Sequence, residues 1–265
     1  MSTFRDVLAA ADAPLVGLWN ASGSAVAAEI MAGSGADLLL VDGEHGPISI
    51  SEMLPILQAA AAYPVTTIVR VPWNDPVTIK QVLDLGAVNV LVPMVSTAAD
   101  AVAAVRAARY PGGDGEREGA RGIGSALARS SRWGRIAGYV QDADAHVSVT
   151  VQIETAEGVA NAAEIAAVDG VDAVFIGPAD LAGSMGFPGR PSEPTVVAAV
   201  DATIAAVRSA GTPVGVNTFA EADADRCLAR GAAFVFVAAD VTLMARGSEA
   251  AVARLKRTDA ATDAY

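Results

Sequence analysis

Short runs rich in Val, Ile and Leu recur along the chain, near 14–20, 36–42, 66–71, 89–95, 148–154, 172–178, 213–218 and 233–239. Each has the length of a strand. Between them lie Ala-rich stretches with helical spacing, among them 97–109, 156–167, 195–210 and 220–230. Eight strand-then-helix units in a chain of 265 residues predict a single-domain α/β protein, a closed (β/α)8 TIM barrel. A doubly wound open sheet is the alternative. It more often carries a Gly-rich turn after its first strand, and Gly17-Leu18-Trp19-Asn20-Ala21-Ser22-Gly23 has no GxGxxG. Neither a low-complexity linker nor a second domain interrupts residues 1–265.

The apolar runs end in polar residues. Leu38-Leu39-Leu40-Val41 leads to Asp42-Gly43-Glu44-His45, Thr67-Ile68-Val69 to Arg70, Val149-Thr150-Val151 to Gln152-Ile153-Glu154, and Val174-Phe175-Ile176 to Gly177-Pro178-Ala179-Asp180. In a parallel barrel these C-terminal strand ends converge on the catalytic face. Gln152 and Glu154, two residues apart, share one face of their strand. Carboxylates from adjacent strands can hold one hard cation and leave positions for water and substrate oxygens. The bland alternative is that Glu154 and Asp180 cap the helices that follow them. An Asp42 carboxylate could take a bond from one ring nitrogen of His45 and leave the other as a base near neutral pH. A lone histidine on a surface turn is the competing reading. Arg70 suits an enolate or carboxylate oxygen, or an ion pair with Asp42, Glu44 or Glu154.

One stretch breaks the rhythm. Residues 111–134 concentrate Gly112, Gly113, Gly115, Gly119, Gly122, Gly124 and Gly134 with Arg117, Arg121, Arg129 and Arg132. So long a connection is either a solvated insertion or a mobile lid whose arginines meet an anionic substrate.

Composition narrows the chemistry. The net charge of −12, without a basic tract, argues against nucleic acid as a partner. No apolar run reaches the roughly 20 residues that span a bilayer. The start, Met1 to Asp6, lacks a basic region followed by an apolar one, so a cytoplasmic protein is expected. Cys227 is the single cysteine, and His45 and His146 are the only histidines. Thiolate or histidine-rich metal sites are thereby excluded. Oxygen ligands favour Mg2+, Mn2+ or a similar divalent ion. Lysines are limited to Lys80 and Lys256, neither at a strand end, so a Schiff-base aldolase is not expected.

The ordered set Val41-Asp42-Gly43-Glu44-His45-Gly46-Pro47, Val69-Arg70-Val71-Pro72, Gln152-Ile153-Glu154-Thr155 and Ile176-Gly177-Pro178-Ala179-Asp180-Leu181 resembles the HpcH/HpaI aldolases, class II pyruvate aldolases. Ala120 to Ala126 and Ser131-Arg132-Trp133 are also similar, and the resemblance covers about 14–256. It implies a divalent metal (Mg2+, Mn2+ or Co2+) on Glu154 and Asp180, with Gln152 lining the site. It gives Arg70 the enolate and makes His45 with Asp42 the base dyad. The Gly177-Pro178-Ala179-Asp180 turn would cradle the oxoacid carboxylate through the backbone N–H groups of Ala179 and Asp180. The 111–134 segment, residues near Trp19 and those after strand 7, Val216, Asn217, Thr218 and Phe219, would line the pocket for an aldehyde. The donor would be pyruvate, with hydroxypyruvate an open second choice. The assembly implied is a homo-hexamer, a dimer of trimers, whose last helix packs on a neighbour. A citrate-lyase-like or malyl-CoA-type lyase and a non-catalytic 2-oxoacid-binding barrel remain alternatives. The chain has no extended basic region suited to a CoA nucleotide.

Overall fold

A computed structural model describes residues 2–112 and 119–256. Arg117, Gly113 and Gly115 lie outside the described residues. The eight expected strands are present as β1 (Leu15–Asn20), β2 (Leu38–Asp42), β3 (Thr66–Arg70), β4 (Asn89–Val92), β5 (Ser148–Ile153), β6 (Ala173–Ile176), β7 (Val214–Asn217) and β8 (Phe234–Ala239). They pair in parallel and in sequence order, and β8 closes on β1. The closed barrel replaces the open-sheet alternative.

Helix α1 (Phe4–Ala10) precedes the barrel, and α2 (Ala25–Ala32), α3 (Ile50–Ala60), α4 (Pro76–Asp84) and α5 (Ala98–Ala108) follow the first four strands. After β5 the expected helix divides at Asn161 into α6 (Ala156–Ala160) and α7 (Ala162–Ala166). Then come α8 (Pro178–Ser184), α9 (Pro194–Ser209), α10 (Glu221–Ala229) and α11 (Asp240–Lys256). Starts are fixed by capping side chains. Thr97 accepts from Asp100 N, and Asp75 accepts from Thr78 N ahead of a first-turn proline.

Strand alternation splits the core in two. Leu38, Leu40, Ile68, Leu91, Phe175, Phe234, Phe236 and Trp19 fill the barrel. Leu39, Val41, Val69, Val90, Val151, Ile176 and Val216 face the helices. Phe4 plugs the floor, edge-on to Phe234 at 5.0 Å between centroids, and its N–H donates to Asn89 Oδ1 at 2.6 Å.

The last helix does not lie on its own barrel. Of the 17 residues of α11 only Asp240 is buried. Val241, Leu243, Met244, Val252 and Leu255 are exposed, as are Val16 on the outer face of β1 and Val26 and Ile30 on α2. Two apolar surfaces are thus left without cover. No helix among the described residues is long and apolar enough to cross a membrane.

Candidate active site

The C-terminal ends of β2 and β3 bring Asp42 and Arg70 into register. Arg70 Nε and Nη2 donate to the two Asp42 carboxylate oxygens at 2.9 and 2.8 Å, a bidentate pair buried in the mouth. Its Nη1 lies 2.7 Å from Glu44 Oε2, off the angle of a hydrogen bond. The guanidinium carbon sits 4.5 Å from the centroid of the Trp19 ring. Three of the five N–H donors therefore face carboxylates, which leaves two for a ligand. Trp19 itself stays inside the barrel against Phe175 and Phe236, with Nε1 buried and unpartnered.

This geometry corrects the expected dyad. Asp42 accepts from Arg70 and from the backbone N–H groups of Glu44 and His45, the latter at 3.3 Å. It does not bond the His45 ring. That side chain is 64% exposed, and its Nε2 lies 3.9 Å from Glu44 Oε2. The tight turn carries the ring outward, and Glu44 becomes the carboxylate that faces both His45 and Arg70. Burial raises the Glu44 carboxyl above its usual range, and Asp42 and Asp180 add to this, against the pull of Arg70.

Opposite lies the expected metal-holding pair. Glu154 is buried, and its Oε1 accepts from Met94 N at 2.7 Å while its Oε2 accepts from Gln152 Nε2. The cap of α6 is instead Thr155, which accepts from Gly158 N. Asp180 stands in the first turn of α8, whose N-cap Gly177 makes no side-chain bond. The capping alternative fails for both carboxylates. Met94 adopts φ 58°, a conformation costly for a non-glycine residue, as its N–H meets Glu154. Gly177 leaves the Glu154 and Gln152 side chains their room. A Cβ there would stand 2.8 Å from Glu154 Oε2 and 3.0 Å from Gln152 Nε2.

Burial, offset in part by the two hydrogen bonds and helped by Glu44 and Asp180, pushes the Glu154 carboxyl up to about 7. Among the described residues four carboxylates (Asp42, Glu44, Glu154 and Asp180) thus share the mouth with one guanidinium. Gln152 Oε1 is buried without a donor. Such a set fits a hard divalent cation held by Glu154 and Asp180. Among the described residues no group of three or more His, Cys, Asp or Glu side chains is arranged to hold a metal. Water and substrate oxygens would have to complete the shell. Because Glu154 must ionise to bind, apparent Mn2+ affinity should fall about tenfold per pH unit below 7. Titration calorimetry from pH 5.5 to 8 would measure it. An affinity flat below 7 would remove Glu154 as the linked group.

Two expectations about the aldehyde pocket change. Val216 is fully buried in the outer layer, facing the helices, so its side chain cannot line the cavity. The inward positions of β7 are Gly215 and Asn217. The described part of the segment between α5 and β5, residues 109–112 and 119–147, lies toward the floor at Arg121 and Arg129. The Arg121 side chain is fully buried, 2.8 Å from Asp84 and 4.5 Å over the Tyr110 ring, and Arg129 donates to Leu85 O at 3.0 Å. Asp84 and Leu85 lie at the end of α4, on the floor side. These two arginines fasten the segment and do not form a lid over their own chain's mouth.

Asp240 was missed by sequence reading, although it directly follows β8 much as Asp42 ends β2. It is buried and accepts from Asn20 Nδ2 at 2.9 Å, Ala21 N at 2.9 Å, Ser22 N at 3.2 Å and Ser22 Oγ. It thereby fastens the first strand-to-helix loop to the start of α11.

The comparisons agree with the motifs. The family model described as HpcH/HpaI aldolase/citrate lyase matches residues 15–247. The chain belongs to this family. A 4-hydroxy-2-oxo-heptane-1,7-dioate aldolase of Salmonella arizonae is 49% identical, with 100% of this chain and 99% of that protein aligned. The crystal structure of an HpcH/HpaI aldolase/citrate lyase family protein from Burkholderia cenocepacia superposes with a TM-score of 0.90 at 37% identity, covering 95% of this chain and 98% of that one. The HpcH/HpaI aldolase of Desulfitobacterium hafniense follows with a TM-score of 0.86 at 27% identity, over 99% of this chain and 100% of that one. The barrel and the family expected from the motifs are borne out.

Proposed function

We propose that the chain is a class II aldolase, a carbon–carbon lyase that cleaves a 4-hydroxy-2-oxoacid to pyruvate and an aldehyde and runs the addition in reverse. The observation that carries this reading is the pairing of Glu154, Asp180 and Gln152 on one wall with Arg70 on the other, while Lys80 and Lys256 sit on α4 and α11. By likeness to its Salmonella relative, the substrate is a 4-hydroxy-2-oxo dicarboxylate. Cleavage breaks the C3–C4 bond. The C4 hydroxyl loses its proton to become the aldehyde, and C3 gains one to become the pyruvate methyl.

A divalent cation (Mg2+, Mn2+ or Co2+) on Glu154 and Asp180 would polarise the 2-oxo group and offset the charge of the carboxylates. The free N–H groups of Arg70 meet the enolate oxygen. The first-turn N–H groups of Ala179 and Asp180, which have no partner within α8, hold the oxoacid carboxylate. Gly177 and Pro178 set that turn against Gln152. His45, exposed and close to Glu44, moves the C3 proton. Asp42 acts by fixing Arg70. Pyruvate C3–H exchange in deuterated buffer, with an oxoacid-by-aldehyde panel, tests the reading. Metal-loaded, folded protein that neither exchanges nor cleaves would instead be a non-catalytic oxoacid-binding barrel.

The protein is proposed to be a cytoplasmic homo-hexamer built from trimers, with no membrane or nucleic-acid partner. Its support is the bare apolar residues of α11, together with those of β1 and α2. Leu243→Asp with Met244→Asp should yield smaller species in sedimentation velocity. An unchanged assembly would separate α11 from oligomerisation.

A further inference from the structure

Asn217 closes β7, among the residues expected near the aldehyde pocket, and its side chain has had no chemical role assigned to it. Its direction follows from Gly215, two residues earlier. A Cβ on Gly215 would lie 2.1 Å from the Phe234 ring inside the barrel, so Gly215 faces the interior, and Asn217 faces it by alternation. Ile176 pairs with Val216, which sets Gly177 beside Asn217 on neighbouring strands. Gly177 in turn touches Glu154 and Gln152. On its other side Asn217 pairs with Phe236, whose ring meets Trp19 5.8 Å away. Asn217 is therefore the polar side chain on the wall between the carboxylate pair and Trp19. Its Oδ1 is buried and has no hydrogen-bond partner.

A buried amide oxygen without a donor is unfavourable, so a group that the chain does not itself supply should satisfy it. A carboxylate is a poor match, since the mouth is already acidic and an amide oxygen repels it. A hydroxyl can give a hydrogen bond to the amide oxygen or take one from the amide nitrogen, whichever end the amide turns inward.

We propose that Asn217 is a specificity-determining residue that binds a hydroxyl on a reactant carbon next to the bond made or broken. The inference rests on the aldolase reading and names a substrate class for the same site. That hydroxyl has two possible sources. It can belong to a 3-hydroxy-2-oxoacid donor or to a 2-hydroxyaldehyde acceptor.

The test compares wild type with Asn217→Leu, a close match in size without polar atoms, and with Asn217→Ser, which restores a small polar group. Addition rates are measured for hydroxypyruvate with acetaldehyde, pyruvate with glycolaldehyde, and pyruvate with propanal, the methyl counterpart of glycolaldehyde. Pyruvate with acetaldehyde is the reference for the donor arm. Oxaloacetate decarboxylation reports the metal and enolate machinery alone. In wild type, one hydroxylated pair should exceed its reference in kcat/KM. Asn217→Leu should shrink that ratio about tenfold, one good hydrogen bond, and leave decarboxylation within about threefold. Asn217→Ser should recover part of the ratio even if the leucine variant fails to fold. The arm that collapses identifies the source. Ratios unchanged in both arms would overturn the proposal, as would a wild type indifferent to hydroxyls. A rise in the KM for oxaloacetate with no change in either ratio would assign Asn217 to the carboxylate instead. Loss of all reactions, decarboxylation included, in metal-loaded wild type would strike the aldolase reading and not Asn217.

Discussion

Removing divalent metal with EDTA should abolish aldol turnover, and Mg2+, Mn2+ or Co2+ should restore it. The expectation follows from the charge in the mouth. Asp42 and Glu44 face Arg70, so the one guanidinium has no charge to spare for Glu154 and Asp180. Glu154 is raised to about 7 by burial and by its carboxylate neighbours. An oxoacid brings a further negative charge, and its enolate one more. Among the described residues no lysine joins Arg70 to offset them, because Lys80 lies on α4 and Lys256 ends α11. A Lewis acid supplies several kcal/mol of stabilisation, so the loss should be about 10³-fold or greater. Glu154→Gln and Asp180→Asn should each weaken metal binding and activity together. Full turnover in metal-free protein, or borohydride trapping of substrate on either lysine, would defeat the assignment.

The barrel was legible because its signal is repeated. Each β-branched run has strand length, each Ala-rich run has helical spacing, and the strand order 1 to 8 follows from parallel connection. Glu154 and Asp180 were legible for a related reason, since the end of a barrel strand fixes which way a residue points. What escaped depended on contacts distant in sequence. Met94 is strained in order to reach Glu154, sixty residues away. Glu44 reads as part of a turn until the turn shows that His45 swings outward and Glu44 inward. Asp240 belongs to the same strand-end grammar as Asp42 but serves the loop of β1, 220 residues earlier. Val216 and Asn217 differ by one position, and a strand shift of one residue exchanges core for cavity. Arg121 and Arg129 come after a helix and before a strand, and their partners Asp84 and Leu85 put them on the floor whatever their charge.

His45→Ala and Asp42→Asn should fail in different ways. His45 is proposed to move the C3 proton, so its loss should slow pyruvate C3–H exchange and aldol cleavage by about 10² to 10⁴-fold. Oxaloacetate reaches the enolate by losing CO2, without removal of a C3 proton, so its decarboxylation should suffer much less. Asp42 holds Arg70 by two parallel bonds at 2.9 and 2.8 Å and makes none to the imidazole. Asp42→Asn leaves one acceptor where two were needed, and the guanidinium should shift from the enolate position. A displacement of that order costs about 10²-fold, and here exchange and decarboxylation should fall together, because both pass through the charge that Arg70 meets. Arg70→Ala should share this pattern with metal affinity nearly intact. If Asp42→Asn instead copied His45→Ala, sparing decarboxylation, the imidazole would have to turn inward to Asp42 during turnover and displace the arginine. If decarboxylation fell equally in the His45 variant, His45 would be binding substrate and not moving its proton.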